Sequence, residues 1–139
     1  GAAAAALIAL EGRPLFVSTR RPEAAVDLIE RTGVAADRVA WGSPVSGAVV
    51  VNATPLGMSG DGLPPALLNH ASGLFDMPYG PDPTESAKHA QALVIPVVAG
   101  LEMLVAQAAL SFELWTGVGA RRNAMRAALE SDHSAEPNL

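Results

Sequence analysis

Short runs of apolar residues alternate with helix-forming segments along this chain, and several of the runs end on polar residues. The clearest run covers residues 48–52, in which three consecutive valines precede Asn52. A run that is apolar at every position predicts a strand covered on both faces, as the strands of a parallel sheet are. The alternation therefore predicts an α/β fold in which helices flank a mostly parallel sheet.

The other predicted elements continue this alternation. Further strands are expected at residues 14–18, 39–41, 73–77 and 94–98. Helices are expected at residues 2–10, 22–32, 86–93, 100–116 and 121–130. Thr84 is a suitable N-cap for the helix at 86–93, and the proline and glycine residues of segment 54–65 indicate a loop. We therefore predict one domain over residues 1–130 and a polar, frayed tail over residues 131–139.

The composition argues against several classes of function. A net charge of −5 leaves no basic surface for a nucleic acid. The chain has no cysteine and its three histidines are far apart, so neither a disulfide nor a metal site is expected. Residues 93–112 are apolar, but Pro96 and Glu102 interrupt them, which predicts a strand and a helix rather than a membrane span. With no recognisable signal peptide, we expect a cytoplasmic protein.

The first predicted strand is followed by Thr19, Arg20 and Arg21, at the end of the strand where parallel sheets bind ligands. A dinucleotide-binding, Rossmann-like unit that uses NAD(H) normally has a carboxylate at this place, which holds the ribose 2′-hydroxyl. Guanidinium groups instead bind a 2′-phosphate through a planar set of donors. If the domain is of this type, the two arginines predict a preference for NADP(H). The alternative is that both simply face solvent.

Two other strand ends carry candidate ligand-binding residues. Asn52, Ala53 and Thr54 form a turn whose small size would let a cofactor approach closely, although Asn52 could equally bond its amide to the backbone. Tyr79 is the only tyrosine and follows Asp76, so its hydroxyl could face a polyhydroxy substrate. In the alternative interpretation, the ring of Tyr79 covers a loop and Asp76 binds backbone amides.

The longest predicted helix carries two stripes of residues at helical spacing. Gly100, Met103 and Gln107 lie on one stripe and could form a pocket wall, whereas a lone Met is usually core and a lone Gln usually meets solvent. The other stripe is predicted to face the core and comprises Leu101, Leu104, Val105, Ala108, Phe112 and Trp115. The helix at 2–10 is apolar almost throughout, which also predicts burial.

In three strings this chain resembles the shikimate dehydrogenase family. The family's string Asn-Ala-Thr-Pro-Leu-Gly-Met is present at residues 52–58. Its turn Asp-Met-x-Tyr-x-Pro-x-x-Thr matches residues 76–84, and its helix motif matches residues 100–107 and 112–117. The resemblance covers residues 1–129 and implies the NADP(H)-binding, Rossmann-like domain of such an enzyme, with the first strand truncated and helices at the C-terminal end.

The resemblance also assigns roles to individual positions. It implies that Gly1 and Ala2 end the family's phosphate-binding loop, so that the first strand and the first glycines of the loop would precede this chain. Arg20 matches the family's arginine, and Arg21 stands where the family usually has a threonine. Contacts with the cofactor are implied for Gly1, Ala2, Thr19, Arg20, Arg21, Asn52, Ala53, Thr54, Met77, Gly100 and Met103. Contacts with shikimate are implied for Tyr79 and Gln107.

The implied reaction is the reversible, NADPH-dependent reduction of 3-dehydroshikimate to shikimate in aromatic amino-acid biosynthesis. In the family, a lysine and an aspartate of a separate N-terminal domain transfer the proton. Lys88 is the only lysine here and is expected to lie away from the cleft. The resemblance thus implies no catalytic residue in this segment, an inactive isolated chain, and a homodimer for the full-length protein. The alternatives are a quinate/shikimate or aminoshikimate dehydrogenase and a non-catalytic nucleotide-binding remnant.

Overall fold

The computed structural model describes residues 1–80 and 82–133 as five helices, five strands and one turn of 3-10 helix. The helices are α1 (Ala2–Ala9), α2 (Pro22–Thr32), α3 (Glu85–Ala92), α4 (Gly100–Thr116) and α5 (Arg122–His133). The strands are β1 (Phe16–Ser18), β2 (Asp37–Val39), β3 (Val49–Asn52), β4 (Gly73–Asp76) and β5 (Val97–Ala99). The 3-10 turn covers Pro65–Leu67. The predicted α/β fold is confirmed.

The strands form two parallel sheets rather than the single sheet expected. β1 pairs with β2, and β3, β4 and β5 pair in that order. Among the described residues, β1 and β3 each have a strand partner on one side only. Their other edges line one groove of about 790 Å³, to which α1 contributes Ala3, Ala6, Leu7 and Leu10.

Four strands begin elsewhere than predicted, and for β1 and β3 the start is only two residues and one residue later, at Phe16 and Val49. β2 lies two residues earlier, because the backbone NH of Asp37 donates to the carbonyl of Leu15 (2.8 Å) and sets the pairing with β1. β5 begins at Val97 rather than at residue 94. Val94 is instead part of the turn that ends α3 and has a φ of 57°. The predictions for β2 and β5 followed the apolar residues of the sequence, whereas hydrogen bonds determine where these two strands lie.

The hydrophobic core consists of two clusters, one beside each sheet. The first contains Leu63, Leu67, Leu68, Leu74 and Ala90. The second contains Leu7, Val17 and Ala25. Burial of the whole first helix was therefore predicted wrongly, because Leu7 is the one α1 residue that is buried.

The predicted core stripe of α4 is also largely wrong. Val105 is buried, but Trp115 is 81% exposed, and the buried residues of the helix are Gly100, Val105 and Ala109. The reason is that α4 contacts mainly β5 and α5 within the described chain, so its other face has no covering element there. A bidentate pair between Glu102 and Arg126 joins α4 to α5.

The C-terminal helix runs further than expected. α5 extends to His133, so residues 131–133 are helical, contrary to the predicted tail. The rest of the predicted tail, residues 134–139, and Pro81 of the matched turn lie outside the described residues. No helix in the described part of the chain combines the length and apolarity needed to cross a membrane.

Candidate functional site

The carboxyl ends of β3, β4 and β5 lie side by side. Asn52 pairs in register with Asp76, and Asp76 with Ala99, which directly precedes Gly100. The NH of Met77 donates to the carbonyl of Asn52 (3.1 Å), which continues the pairing beyond the strands. Three groups of sequence-predicted cofactor residues, from residues 52–54, 77 and 100, are thus brought to one sheet edge.

A second group of predicted residues lies at the carboxyl end of β1. The hydroxyl of Thr19 donates to the carbonyl of Arg21 (2.6 Å) and closes a short turn before α2. Arg21 is the N-cap of α2 but makes no side-chain capping bond, and Pro22 occupies the first helical position, which suits proline. Arg20 and Arg21 are exposed, and neither forms an ion pair within residues 1–80 and 82–133. Two free guanidinium groups here can bind an anion.

The groove connects these two groups. Its walls include Ser18 and Thr19 at the end of β1 and Asn52, Ala53 and Thr54 at the end of β3. It lies between the β1–β2 sheet and the β3–β4–β5 sheet, since residues of β1 and of β3 line it. Doubly wound sheets bind their ligands at the carboxyl ends of the strands.

The other predicted residues do not line the groove, and they differ in exposure. Tyr79 is 50% exposed and Gln107 is exposed, so both side chains are available to a ligand. Met103 is half-buried on α4. Gly1 is the N-cap of α1 and Ala2 its first residue, and both are exposed.

Asp76 and Asn52 are buried, at 1% exposure each, and their partners differ from those expected. The two carboxylate oxygens of Asp76 accept from the side chains of Asn52 (2.7 Å) and Thr84, not from backbone amides. Sequence reasoning assigned Thr84 to capping α3, which is confirmed by the bond from the NH of Ala87 (3.0 Å), but missed its link to Asp76. The sequence feature that could have indicated this network is the polar residue at the end of each of two adjacent strands, β3 and β4.

The described site contains no lysine–carboxylate pair that could transfer a proton. Lys88 lies on α3, exposed, with its Nζ 2.8 Å from Oε1 of Glu85. The hydrogen bond and charge of Glu85 raise the pKa of Lys88 above its ordinary value of 10.5, so the side chain stays protonated near neutral pH and cannot accept a proton there. Within the described residues there is also no cluster of side chains suited to hold a metal ion.

Comparison with known proteins agrees with the fold and the sequence strings. The family model described as the shikimate 5′-dehydrogenase C-terminal domain matches residues 100–130. The shikimate dehydrogenase (NADP(+)) of Archaeoglobus fulgidus is 37% identical over 145 aligned residues, which cover 92% of this chain and 52% of that protein. The chain therefore spans about half the length of the curated relatives it matches.

Two solved structures share the fold. Shikimate 5-dehydrogenase from Thermus thermophilus, in complex with NADP(H) and shikimate, superposes with a TM-score of 0.75 at 32% identity, covering 86% of this chain and 46% of that one. The ligand-free 5-ketofructose reductase of a Gluconobacter strain gives the same TM-score of 0.75 at 27% identity, with 95% and 53% covered. Over most of its length, this chain is therefore similar to about half of a shikimate dehydrogenase, and its residues 100–130 match the C-terminal domain of that family.

Proposed function

We propose that this chain is the NADP(H)-binding portion of a shikimate dehydrogenase, an oxidoreductase that interconverts 3-dehydroshikimate and shikimate. The observation that carries the proposal is that the carboxyl ends of β1 and β3 line one groove, with Thr19 on one side and the small residues Ala53 and Thr54 on the other. The exposed Arg20 and Arg21 directly follow Thr19 in the chain. The names of the relatives support the choice of cofactor, since they are shikimate dehydrogenases of the NADP(+) type.

The carboxyl edge fits NADP(H) in its charge and in its size. Arg20 and Arg21 offer two unpaired guanidinium groups beside the positive end of α2, where a 2′-phosphate is stabilised. Ala53 and Thr54 present small side chains to the groove, so a flat ring and a ribose can approach the backbone. Close to them, Gly100 packs directly on the backbone of Met77.

When bound, the nicotinamide supplies the hydride for reduction of the ketone carbon. In the proposed site, Arg20 and Arg21 would hold the 2′-phosphate, and Ala53, Thr54, Met77, Gly100 and Met103 would line the nicotinamide end. The amide of Asn52 is buried and bonded within the protein, so it would support this end without touching the ring. Gly1 and Ala2, at the N-terminus of α1, would bind the pyrophosphate. The exposed side chains of Tyr79 and Gln107 offer hydrogen bonds to a substrate hydroxyl. Proton transfer requires groups that do not belong to this chain.

A second substrate remains a candidate because of one comparison. The Gluconobacter enzyme of the same fold is a 5-ketofructose reductase, so this architecture also occurs with a polyhydroxy ketone other than 3-dehydroshikimate. Quinate and aminoshikimate are the further alternatives suggested by the sequence strings. Titration of the NADP+-loaded protein with shikimate, quinate and 5-ketofructose distinguishes them: tightest binding of shikimate supports the proposal, and tightest binding of either other compound replaces it.

We also propose that the protein acts in the cytoplasm and that the full-length protein is a homodimer. The exposed apolar side chains of Leu114 and Trp115 on α4 support a surface that packs against further protein. Light scattering of the full-length protein would test the dimer.

The cofactor assignment is tested by calorimetric titration with NADP+ and NAD+. NADP+ should bind more tightly, and replacement of both Arg20 and Arg21 by Ala should remove that advantage. Each charge-assisted bond is worth about 1.5–3 kcal/mol, so the loss of two should weaken NADP+ binding by about a hundredfold or more, with little change for NAD+. Arg31→Ala is the matched control, because Arg31 is an exposed arginine at the opposite end of α2. Equal affinity for both dinucleotides, or no binding of either, would refute the assignment.

A further inference from the structure

A carboxylate without a cation lies buried beneath the loop at the carboxyl edge. Asp76 is 1% exposed, and the ion pairs of the described residues involve other carboxylates, those of Glu85 and Glu102. Burying a charge in this way is costly unless hydrogen bonds compensate. The two bonds that Asp76 accepts, from Asn52 and Thr84, must therefore account for its presence.

The amide of Asn52 uses every hydrogen-bonding atom that it has. Its Nδ2 donates to Oδ1 of Asp76 (2.7 Å) and to the carbonyl of Leu56 (3.0 Å). Its Oδ1 accepts from the NH (3.1 Å) and the hydroxyl (2.7 Å) of Thr54. Since a carboxylate only accepts, Asp76 determines which end of the amide faces it and which end faces Thr54.

The loop at residues 53–58, here called the cofactor loop, depends on this amide. The hydroxyl of Thr54 also accepts from the NH of Leu56 (3.1 Å), so the chain of bonds runs from Asp76 through Asn52 to both Thr54 and Leu56. A methyl group on Gly57, whose φ is 112°, would lie 2.9 Å from Cγ2 of Thr84. The loop is thus fastened at its start by the amide and at its end by packing on Thr84.

Thr84 connects the same carboxylate to a helix. Its hydroxyl donates to Oδ2 of Asp76 and accepts from the NH of Ala87 (3.0 Å), the capping bond of α3. A hydroxyl has a single proton, so its donation to Asp76 leaves it able only to accept at the helix end. Asp76 therefore fixes the direction of the hydrogen bonds at both of its neighbours.

We propose that Asp76 is a positioning residue for the cofactor loop: through Asn52 and Thr84, its buried carboxylate holds Ala53 and Thr54 in the conformation that faces the nicotinamide half of the dinucleotide. This role rests on the proposed function, because it assumes that the loop faces NADP(H). The orientation of the loop itself follows from the hydrogen bonds and can be measured separately.

Two pairs of variants separate positioning from folding. Asp76→Asn keeps the shape but replaces one acceptor by an amide NH2, which meets a donor on Asn52 or on Thr84. The double variant Asn52→Asp with Asp76→Asn exchanges acid and amide, and restores that bond and the acceptors for Thr54, but not the bond to the carbonyl of Leu56. Thr84→Val removes the hydroxyl, whereas Thr84→Ser keeps it as the matched control. Thermal unfolding of each variant confirms that it is folded.

The distinguishing experiment compares NADP+ with adenosine 2′,5′-bisphosphate, which has the 2′-phosphate but lacks the nicotinamide half. Asp76→Asn and Thr84→Val should bind NADP+ about tenfold more weakly, because the loss of roughly one net hydrogen bond leaves the cofactor loop less ordered. Their affinity for the bisphosphate should stay within about twofold of the unsubstituted protein. Thr84→Ser should recover most of the affinity for NADP+, and the exchanged double variant only part of it, because the donor to the carbonyl of Leu56 is lost. Equal loss of both ligands, or loss of neither, would overturn the positioning role.

Amide hydrogen exchange tests the same inference without any ligand. The NH groups of Thr54 and Leu56 should exchange about tenfold faster in Asp76→Asn, whereas the NH of Leu74, which bonds to Pro96 in the sheet (2.9 Å), should be unchanged. Unchanged exchange at Thr54 and Leu56 contradicts the inference. Failure of the unsubstituted chain to bind NADP+, with faster exchange in the variant, contradicts the proposed function alone.

Discussion

Gly100 lies so close to Met77 that a methyl group added to its α-carbon would be 2.1 Å from the carbonyl oxygen of Met77. The same methyl group would be 2.7 Å from the carbonyl oxygen of Pro78. Both obstacles are backbone atoms, which cannot move aside as a flexible side chain can. The first turn of α4 therefore packs directly on the turn that follows β4, and the two segments of the proposed nicotinamide site have a fixed spacing.

Substitution of Gly100 should disturb both segments at once. We expect Gly100→Ala to lower the free energy of unfolding by about 1–3 kcal/mol, as overpacking does, and to weaken NADP+ binding. Gly119→Ala is the control, since nothing lies within 4 Å of the added methyl group. Urea unfolding and calorimetry measure both effects. A Gly100→Ala protein as stable as the control would show that the close packing is not present in solution.

The end of α3 offers a stabilising substitution. Val94 has a left-handed φ of 57° and is 89% exposed. The NH groups of Val94 and Ile95 donate to the carbonyls of Gln91 (3.0 Å) and Ala90 (2.9 Å), which is the Schellman arrangement in which the left-handed position is usually Gly or Asn.

A β-branched residue in this conformation costs about 1–2 kcal/mol, so Val94→Asn should raise the free energy of unfolding by roughly 1 kcal/mol. Val98→Asn, at another exposed valine but within β5, should be neutral or destabilising. Urea unfolding of both variants checks the sign. Destabilisation by Val94→Asn would contradict the assigned turn.

The facing edges of β1 and β3 should make this chain associate. Both edges border the groove, and unpaired strand edges readily pair with other chains. We expect sedimentation velocity to detect species larger than the monomer as concentration rises. Lysine in place of Phe16 and Val49, exposed residues that line the groove, should reduce this association.

The control for that experiment is Ile8→Lys, because Ile8 is similarly exposed on α1 but does not line the groove. It should leave the association unchanged. A monomer at every concentration, or equal effects of all three lysines, would argue against pairing at these edges.

This chain alone should not oxidise shikimate. Oxidation requires removal of the hydroxyl proton as the hydride leaves, and the chain's only lysine lies in an exposed pair with Glu85 on α3. Mixing the chain with NADP+ and shikimate should produce no NADPH absorbance above background. Turnover that Lys88→Ala abolishes would disprove the placement of the proton-transfer groups outside this chain.

Much of this architecture could be predicted from the sequence, because burial and helix ends leave local patterns. The run ending at Asn52 and the limits of α4 were found in this way. The limits of β2 and β5 were not found from the sequence. Pairing with a distant strand places Asp37 in β2, and a left-handed turn excludes Val94 from β5. Division into two sheets likewise depends on how strands meet in space, which no local pattern records.

The candidate site, too, could be predicted from the sequence only in part. Strand ends identified the positions of Arg20, Arg21 and Ala53, because parallel sheets bring carboxyl ends together. The role of Asp76 was missed, since its bonds to Asn52 and Thr84 join residues 24 and 8 positions away along the chain. Spacings of this kind have no helical or strand period.

The most direct test of the proposed cofactor site is to map NADP+ on the 15N-labelled chain by NMR. We predict that NADP+ causes the largest changes in backbone amide chemical shift at residues 19–21, 53–54, 77 and 100. NAD+ should leave the chemical shifts of Arg20 and Arg21 nearly the same as in the free chain. Shifts confined to other regions, such as the start of α5, or no shifts at saturating NADP+, would contradict it.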